Sequence, residues 1–275
     1  MRQSLRGFGV LAIEALRDGL RRRFAFAVAL FMIAGLVSAE SCTDFSGAEF
    51  SLNGHSIPPA LMAGLIAPLL LAWQALAVVA IAGIVASDHL ARPLAEGSAA
   101  LWLARPISRH LFASARLAGA LGVALGAGVL LLGGSATLVV LRQHLPASPA
   151  LAACAATALA SVAVAALAMA ASLAFGRAAV LLLVLIGVPW IALANAATLV
   201  AQRVEPGIEP GGVLGAIDRF GPPIGTAVFA AVAPWNPHFE GAGELGEALL
   251  RLALWAAGGV AFLLLAFRRV EIDST

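Results

Sequence analysis

The chain has 275 residues, of which 61% are hydrophobic and only 12% charged, with a mean hydropathy of +0.96 and a formal charge of +2. So few charges cannot cover the surface of a soluble protein of this length, and several apolar runs can cross a hydrocarbon core about 30 Å thick, which takes about 20 helical residues. The composition excludes a soluble class and predicts an all-α integral membrane protein; the basic residues lie around apolar runs and form no basic tract with interleaved aromatics, which argues against nucleic acid.

Residues 1–23 come first and read as an amphipathic interfacial helix. Leu5, Phe8, Ala12, Ala15, Leu16 and Leu20 recur at three- and four-residue steps, with Arg6, Glu14, Arg17 and Asp18 elsewhere around the wheel. Such a helix can anchor to the membrane surface through arginines on lipid phosphates, or act as a lever touching a cytoplasmic partner.

Residues 24–275 read as one domain of six transmembrane helices, at about 24–41, 58–86, 110–141, 149–175, 178–201 and 249–267. The first follows an Arg-rich segment but lacks a small-residue cleavage site, so it reads as an uncleaved helix. Residues 42–57 are short and polar, and Asp44, Glu49 and His55 are too sparse to predict a metal site. Gln74 lies halfway along the second span. The third carries Gly119, Gly122, Gly126, Gly128 and the Gly133-Gly134 pair, and the fourth is dominated by Ala with Thr157 and Ser161, so both are expected in the packed interior. In the fifth, Pro189 predicts a kink and Asn195 follows it. Gln74 and Asn195 are candidates for lining a path, although hydrogen bonding between helices is the commoner use of such residues.

Between the last two spans, residues 202–248 hold "GPPIGTAVFAAVAPWNP", an apolar run too short to span alone, which predicts a re-entrant or interfacial element before the last helix. Arginines cluster before the first span, around the 87–109 connection, at Arg177 and at Arg268-Arg269. Arg142, Arg203, Arg219 and Arg251 accompany the opposite segments. The positive-inside rule then predicts a multi-pass protein of the cytoplasmic (inner) membrane with both termini and residues 87–109 in the cytoplasm, and 202–248 outside.

Two absences bound the chemistry. All 17 basic residues are arginine, so the chain holds neither a P-loop lysine nor a Schiff-base lysine. There is also no HExxH, no CxxC and no acidic residue at mid-span, so no enzyme, no cofactor and no metal are expected in this chain. Cys42 and Cys154 could pair only if the first and fourth spans touch.

The 87–109 connection is the most structured polar stretch. Arg92-Pro93 fits the start of a helix of about three turns, Glu96 stands near its positive end and Pro106 prevents continuation. Leu94, Leu101 and Trp102 would share an apolar face, leaving Glu96, Ser98 and Arg105 to point elsewhere. Ser108 can cap the next helix, with Ile107 and Phe112 as a hydrophobic staple.

"EGSAALWLARPISRHLFASAR" resembles the cytoplasmic loop of ABC-2 type transporter permeases, through Gly97, Ser98, Leu101, Leu103, Pro106, Ile107, Ser108, Arg109 and Arg116. The "AIEALRDGLRRRF" entry, the six-span layout and the terminal "FRRVEI" are similar too. Where such loops often carry an acidic residue four before the Gly, this chain has Pro93, and Ser98 and Arg116 replace the usual Thr and Lys. The resemblance implies an exporter permease with a short cytoplasmic coupling helix that docks on a separate ABC ATPase subunit, where ATP would bind, and a second permease copy or paralogue completing the unit. Arg92, Glu96, Gly97, Ser98, Arg105, Pro106, Ser108 and Arg109 are then the partner-coupling residues. The alternative reading is a non-transporting membrane scaffold or assembly factor.

Overall fold

The computed structural model describes residues 2–21, 30, 32–38, 40, 50–52, 55–57, 59–104, 107–204, 212–235 and 245–270. The described elements are helical apart from one hairpin. They are α1 (Arg2–Leu20), a helical run at 32–38 (α2), strands Phe50–Leu52 and His55–Ile57, α3 (Pro59–His89), α4 (Ala91–Ala95), α5 (Ser98–Leu103), α6 (Arg109–Gly128), α7 (Gly134–Gln143), α8 (Ala147–Ala171), α9 (Arg177–Val204), α10 (Gly212–Phe220), α11 (Ile224–Val232) and α12 (Leu245–Arg268). Among the described residues five helical segments are long and apolar enough to cross a membrane: Ile66–Ala95, Arg109–Gln143, Ala147–Ala171, Arg177–Thr198 and Leu245–Arg268. They match the last five expected spans to within a few residues at most ends. The expected first span is described only at residues 30, 32–38 and 40, so its full length, and Cys42 with it, lie outside the described residues.

α8 is the centre of the bundle, packed along both α3 and α12 and against α11. Alanine makes this possible, because its small side chain lets helix axes approach: Ala153, Ala156, Ala160, Ala163 and Ala166 are fully or nearly fully buried. A Cβ on Gly259 of α12 would stand 3.3 Å from the carbonyl oxygen of Ala163. Thr157 and Ser161 are buried and return their hydroxyl protons to the carbonyls of Ala153 and Thr157, four residues back, so they need no outside partner.

The third span is not a single uninterrupted α-helix. A π-helical turn at Val129–Gly133 separates α6 from α7. It falls in the glycine-rich stretch, where missing side chains weaken α-helical preference, and the extra residue in the turn leaves the adjacent Leu131 and Leu132 both buried. The hairpin was likewise not anticipated. Its register sets Leu52 opposite His55, and the sequence between is Asn53-Gly54, the pair most favoured in two-residue hairpin loops.

α1 packs lengthwise on α6. Leu11, Ala15 and Gly19 form its buried edge, while Val10, Ile13 and Leu20 are exposed. The expected Ala15 lies on this edge and Phe8, Ala12 and Leu16 pack half-buried beside it, with Leu11 and Gly19 added to the expected face and Leu20 left out of it. Gly119 and Gly122 stand against Ala15 and Leu16.

Among the described residues between α9 and α12 stand two short helices, α10 and α11. α10 lies against α9 alone among its main contacts, whereas α11 is enclosed by α8, α9, α12 and α3. The indole N–H of Trp235, just after α11, donates to the carbonyl of Pro146 at 2.9 Å and ties this pair to the start of α8.

Candidate functional site at the arginine-rich end

The ends of α3, α8 and α12 and the starts of α6 and α9 gather at one end of the bundle. Two contacts fix this: Arg177 pairs with Asp88 at 3.3 Å, and Arg109 donates to the carbonyls of Arg268 and Val270 at 3.2 and 2.7 Å. Arg17, Arg21, Arg92 and Arg116 share this end through α1 and the 87–109 connection. Arg142, Arg203, Arg219 and Arg251 lie on elements at the other end.

The connection is two short helices and not the single one expected. α4 follows α3 after one residue, Leu90, so Pro93 is the third residue of α4 and not its first. Gly97 then takes φ +72° and ends it, with its N–H bonded to the carbonyl of Leu94 at 3.2 Å and that of Glu96 to Arg92 at 2.9 Å. Glycine reaches this left-handed region without a Cβ penalty, which is why the break falls here. α5 restarts at Ser98, whose hydroxyl donates to the carbonyl of Pro93 at 3.4 Å and folds the two pieces together. Ala99 is buried and Leu94, Trp102 and Leu103 pack half-buried on the bundle, while Leu101 is 75% exposed and makes no part of that packing.

The connection is held at both ends. Leu90 is fully buried at the first. At the second, the Ser108 hydroxyl accepts from the N–H of Leu111 at 3.2 Å, the expected cap, and Ile107 and Phe112 belong to one apolar cluster, as a staple requires. The rings of Phe112 and Phe267 stack 6.1 Å apart, joining the start of α6 to the end of α12.

Of the expected coupling residues, Arg92 and Glu96 form an exposed ion pair at 2.5 Å one turn apart. Gly97 is the joint. Ser98 and Ser108 make internal bonds, and Arg109 is committed to the end of α12. Arg105 and Pro106 lie outside the described residues. Arg116 is buried at 5% exposure, 5.3 Å from the centre of the Phe112 ring and 3.8 Å from the Asp18 carboxylate. It binds α1 to α6.

Two clefts flank the end of α1. One, of about 630 Å³, lies between α1 and the α4–α5 step and is lined by Glu14, Arg17, Arg92, Glu96, Ser98 and Trp102 among others. The other, of about 640 Å³, lies between α1, α3 and α9, with Asp18, Arg21, Asp88, His89 and Arg177 on its walls. His89 was not singled out from the sequence. It is buried, with Nδ1 2.8 Å from the Val85 carbonyl and Nε2 3.2 Å from that of Ala15. A neutral ring donates to one of these and an imidazolium to both. The visible signal was Ser87-Asp88-His89, three polar residues closing an apolar run.

The two path-lining candidates sit elsewhere and join helices. Gln74, 2% exposed, donates to Ser135 Oγ at 2.8 Å and to the Gly35 carbonyl at 3.3 Å, linking α3 to α7 and α2. Asn195 is fully buried; its amide donates to Asp218 at 2.6 Å and its oxygen accepts from the N–H of Gly225 at 3.1 Å, so it holds α9 to α10 and α11. Arg251 of α12 completes that knot by donating to the carbonyls of Asp218, Arg219 and Gly221 at the end of α10, where the helix dipole favours a cation.

No protein-family model and no curated protein matches this chain.

Proposed function

We propose that this chain is the membrane-spanning permease subunit of an ABC-2 type transporter, acting as an exporter with a separate ATP-hydrolysing subunit docked on the 87–109 connection. The observation that carries the reading is the α4–α5 step. It is short, bent at Gly97, joined to α3 through buried Leu90 and to α6 through the Ser108 cap, and it faces α1 across a cleft with charged walls. A push on such a step moves α3 and α6 together, which a slack loop would not do. All 17 basic residues of this sequence are arginine, so it supplies no P-loop lysine, and the reading assigns ATP hydrolysis to a separate subunit.

In this reading the arginine-rich end faces the cytoplasm with both termini, the 24–41 segment is the sixth span, and α10–α11 is the re-entrant element of the outer face. Two permease copies, or one and a paralogue, meet two ATPase subunits. The test is co-purification of ABC ATPase subunits with the chain from its native membrane, followed by an ATPase assay in nanodiscs. A complex of two permeases and two ATPases, with hydrolysis altered by the permease, supports the reading. A stable permease that binds no ATPase, or binds one without changing its hydrolysis, favours a scaffold.

A further inference from the structure

We propose that His89, the last residue of α3, is a protonation-dependent clasp on α1, closed when its ring carries two protons and loosened when it carries one. Both ring nitrogens face carbonyl oxygens, and the two carbonyls belong to different helices: Nδ1 stands 2.8 Å from that of Val85 in α3, and Nε2 stands 3.2 Å from that of Ala15 in α1. A carbonyl oxygen only accepts, so an imidazolium satisfies both contacts by donating twice. A neutral ring has one N–H to give. Its other nitrogen then turns a lone pair toward a carbonyl oxygen, and the ring, 1% exposed, has little water to compensate. The Val85 contact is the shorter and lies within one turn of α3, so the single proton stays there and the contact across to Ala15 is the one lost.

The close approach is built into α1. Gly19 lies against the ring one turn after Ala15, where a Cβ would stand 3.4 Å from Cε1 and Nε2 of His89 and 2.9 Å from Cγ2 of Val123 in α6. A side chain at that position would lever the ring off the Ala15 carbonyl.

The charges that face His89 come from five helices and are matched. Asp18 and Arg21 from the end of α1, Asp88 from α3, Arg92 from α4 and Arg177 from α9 line the cleft it shares. Asp88 pairs with Arg177 at 3.3 Å, Asp18 with Arg116 of α6 at 3.8 Å, and Arg92 with Glu96. Arg21 is exposed just past α1, where solvent and salt screen it. Paired charges cancel much of each other's field at the ring, which leaves the two carbonyls to decide what a second proton gains. Because α1 walls both clefts at this end, losing the Ala15 contact frees its last turn and widens the approach to the α4–α5 step.

The test involves no ATPase, so it is independent of the transporter reading. The full chain lacking Cys42 and Cys154 carries spin labels on Leu20→Cys and Leu182→Cys, two exposed positions on α1 and α9. Their separation in nanodiscs is measured by electron double resonance at about pH 5.5 and about pH 8.5, on either side of the range in which histidine titrates. The expected result is a narrow distance distribution at the acid pH and a broader, longer one at the alkaline pH. His89→Gln keeps an N–H donor but cannot titrate, and should give one distribution at both. His110→Gln, at an exposed histidine of α6, should retain the change. Nitrogen NMR of the histidine rings, with the His89 signals assigned by their loss in His89→Gln, should find two ring protons at the lower pH and one at the upper. An unchanged wild-type distance, a change that persists in His89→Gln, or a His89 ring with the same number of protons at both pH values each overturns the clasp.

Discussion

Ala15 of α1 and Gly119 of α6 touch so closely that a Cβ on Gly119 would lie 2.4 Å from the Cβ of Ala15 and 3.0 Å from its backbone carbon. Backbone cannot step aside as a side-chain tip can. Gly119→Ala should therefore push α1 off α6, at a cost of about 1–3 kcal/mol. The check is a lowered Tm with faster proteolysis within residues 2–21. Unchanged values would mean that α1 has room to shift.

Gly97 tests the joint of the connection. Its Cβ position is open, so Gly97→Ala meets no neighbour and suffers only from φ +72°, at about 1–2 kcal/mol for an L-residue in that region. Gly97→Asn should be milder, and Gly97→Pro, with φ near −65°, cannot keep the bend at all. All three variants should insert normally, and ATPase co-purification should fall in the order Asn, Ala, Pro. Equal co-purification across the series would remove the joint from the coupling reading.

Gln74 and Asn195 should part company. The single oxygen of the Gln74 amide, Oε1, is buried without a hydrogen bond, so Gln74→Leu removes an unsatisfied acceptor along with two donated bonds and should change Tm little. Asn195→Leu strands both the Asp218 carboxylate and the Gly225 N–H, each costing about 1–3 kcal/mol, and should lower Tm markedly. A transport loss in Gln74→Leu at unchanged Tm would place Gln74 on a path.

Arg109→Gln takes the guanidinium from the carbonyls of Arg268 and Val270, bonds of the charge-assisted kind worth about 1.5–3 kcal/mol each at most. The expected outcome is faster amide exchange over 265–270 with α6 still capped by Ser108. Ser108→Ala should do the reverse, fraying the first turn of α6 at about 1 kcal/mol while the α12 end stays protected.

Orientation is read by cysteine labelling in a background lacking Cys42 and Cys154. Cysteine at Ala95, exposed at the arginine-rich end, should resist an impermeant thiol reagent in intact cells, and cysteine at Ser148, exposed at the other end, should react. The opposite pattern would invert the bundle and remove the coupling reading.

Membrane class, five of the span positions, the Ser108 cap and the arginine asymmetry were legible in the sequence, because each depends on residues near one another in the chain. Run length against bilayer thickness and a hydroxyl three residues from its amide need no tertiary knowledge. The bend at Gly97 was half legible: the glycine was visible, but Ser98-Ala99-Ala100-Leu101 reads equally well as the continuation of one helix, and only the backbone angle separates the two. The packed face of α1 was largely legible from its periodicity, but its closest approach, at Gly119 and Gly122 of α6 some hundred residues away, is something no periodicity within α1 can report. The same holds for Arg109, Arg116 and Arg251. All three count as topological charges in a sequence, and tertiary structure turned them into links between helices, because a guanidinium at a helix end takes whichever carbonyls and carboxylates the packing brings within reach.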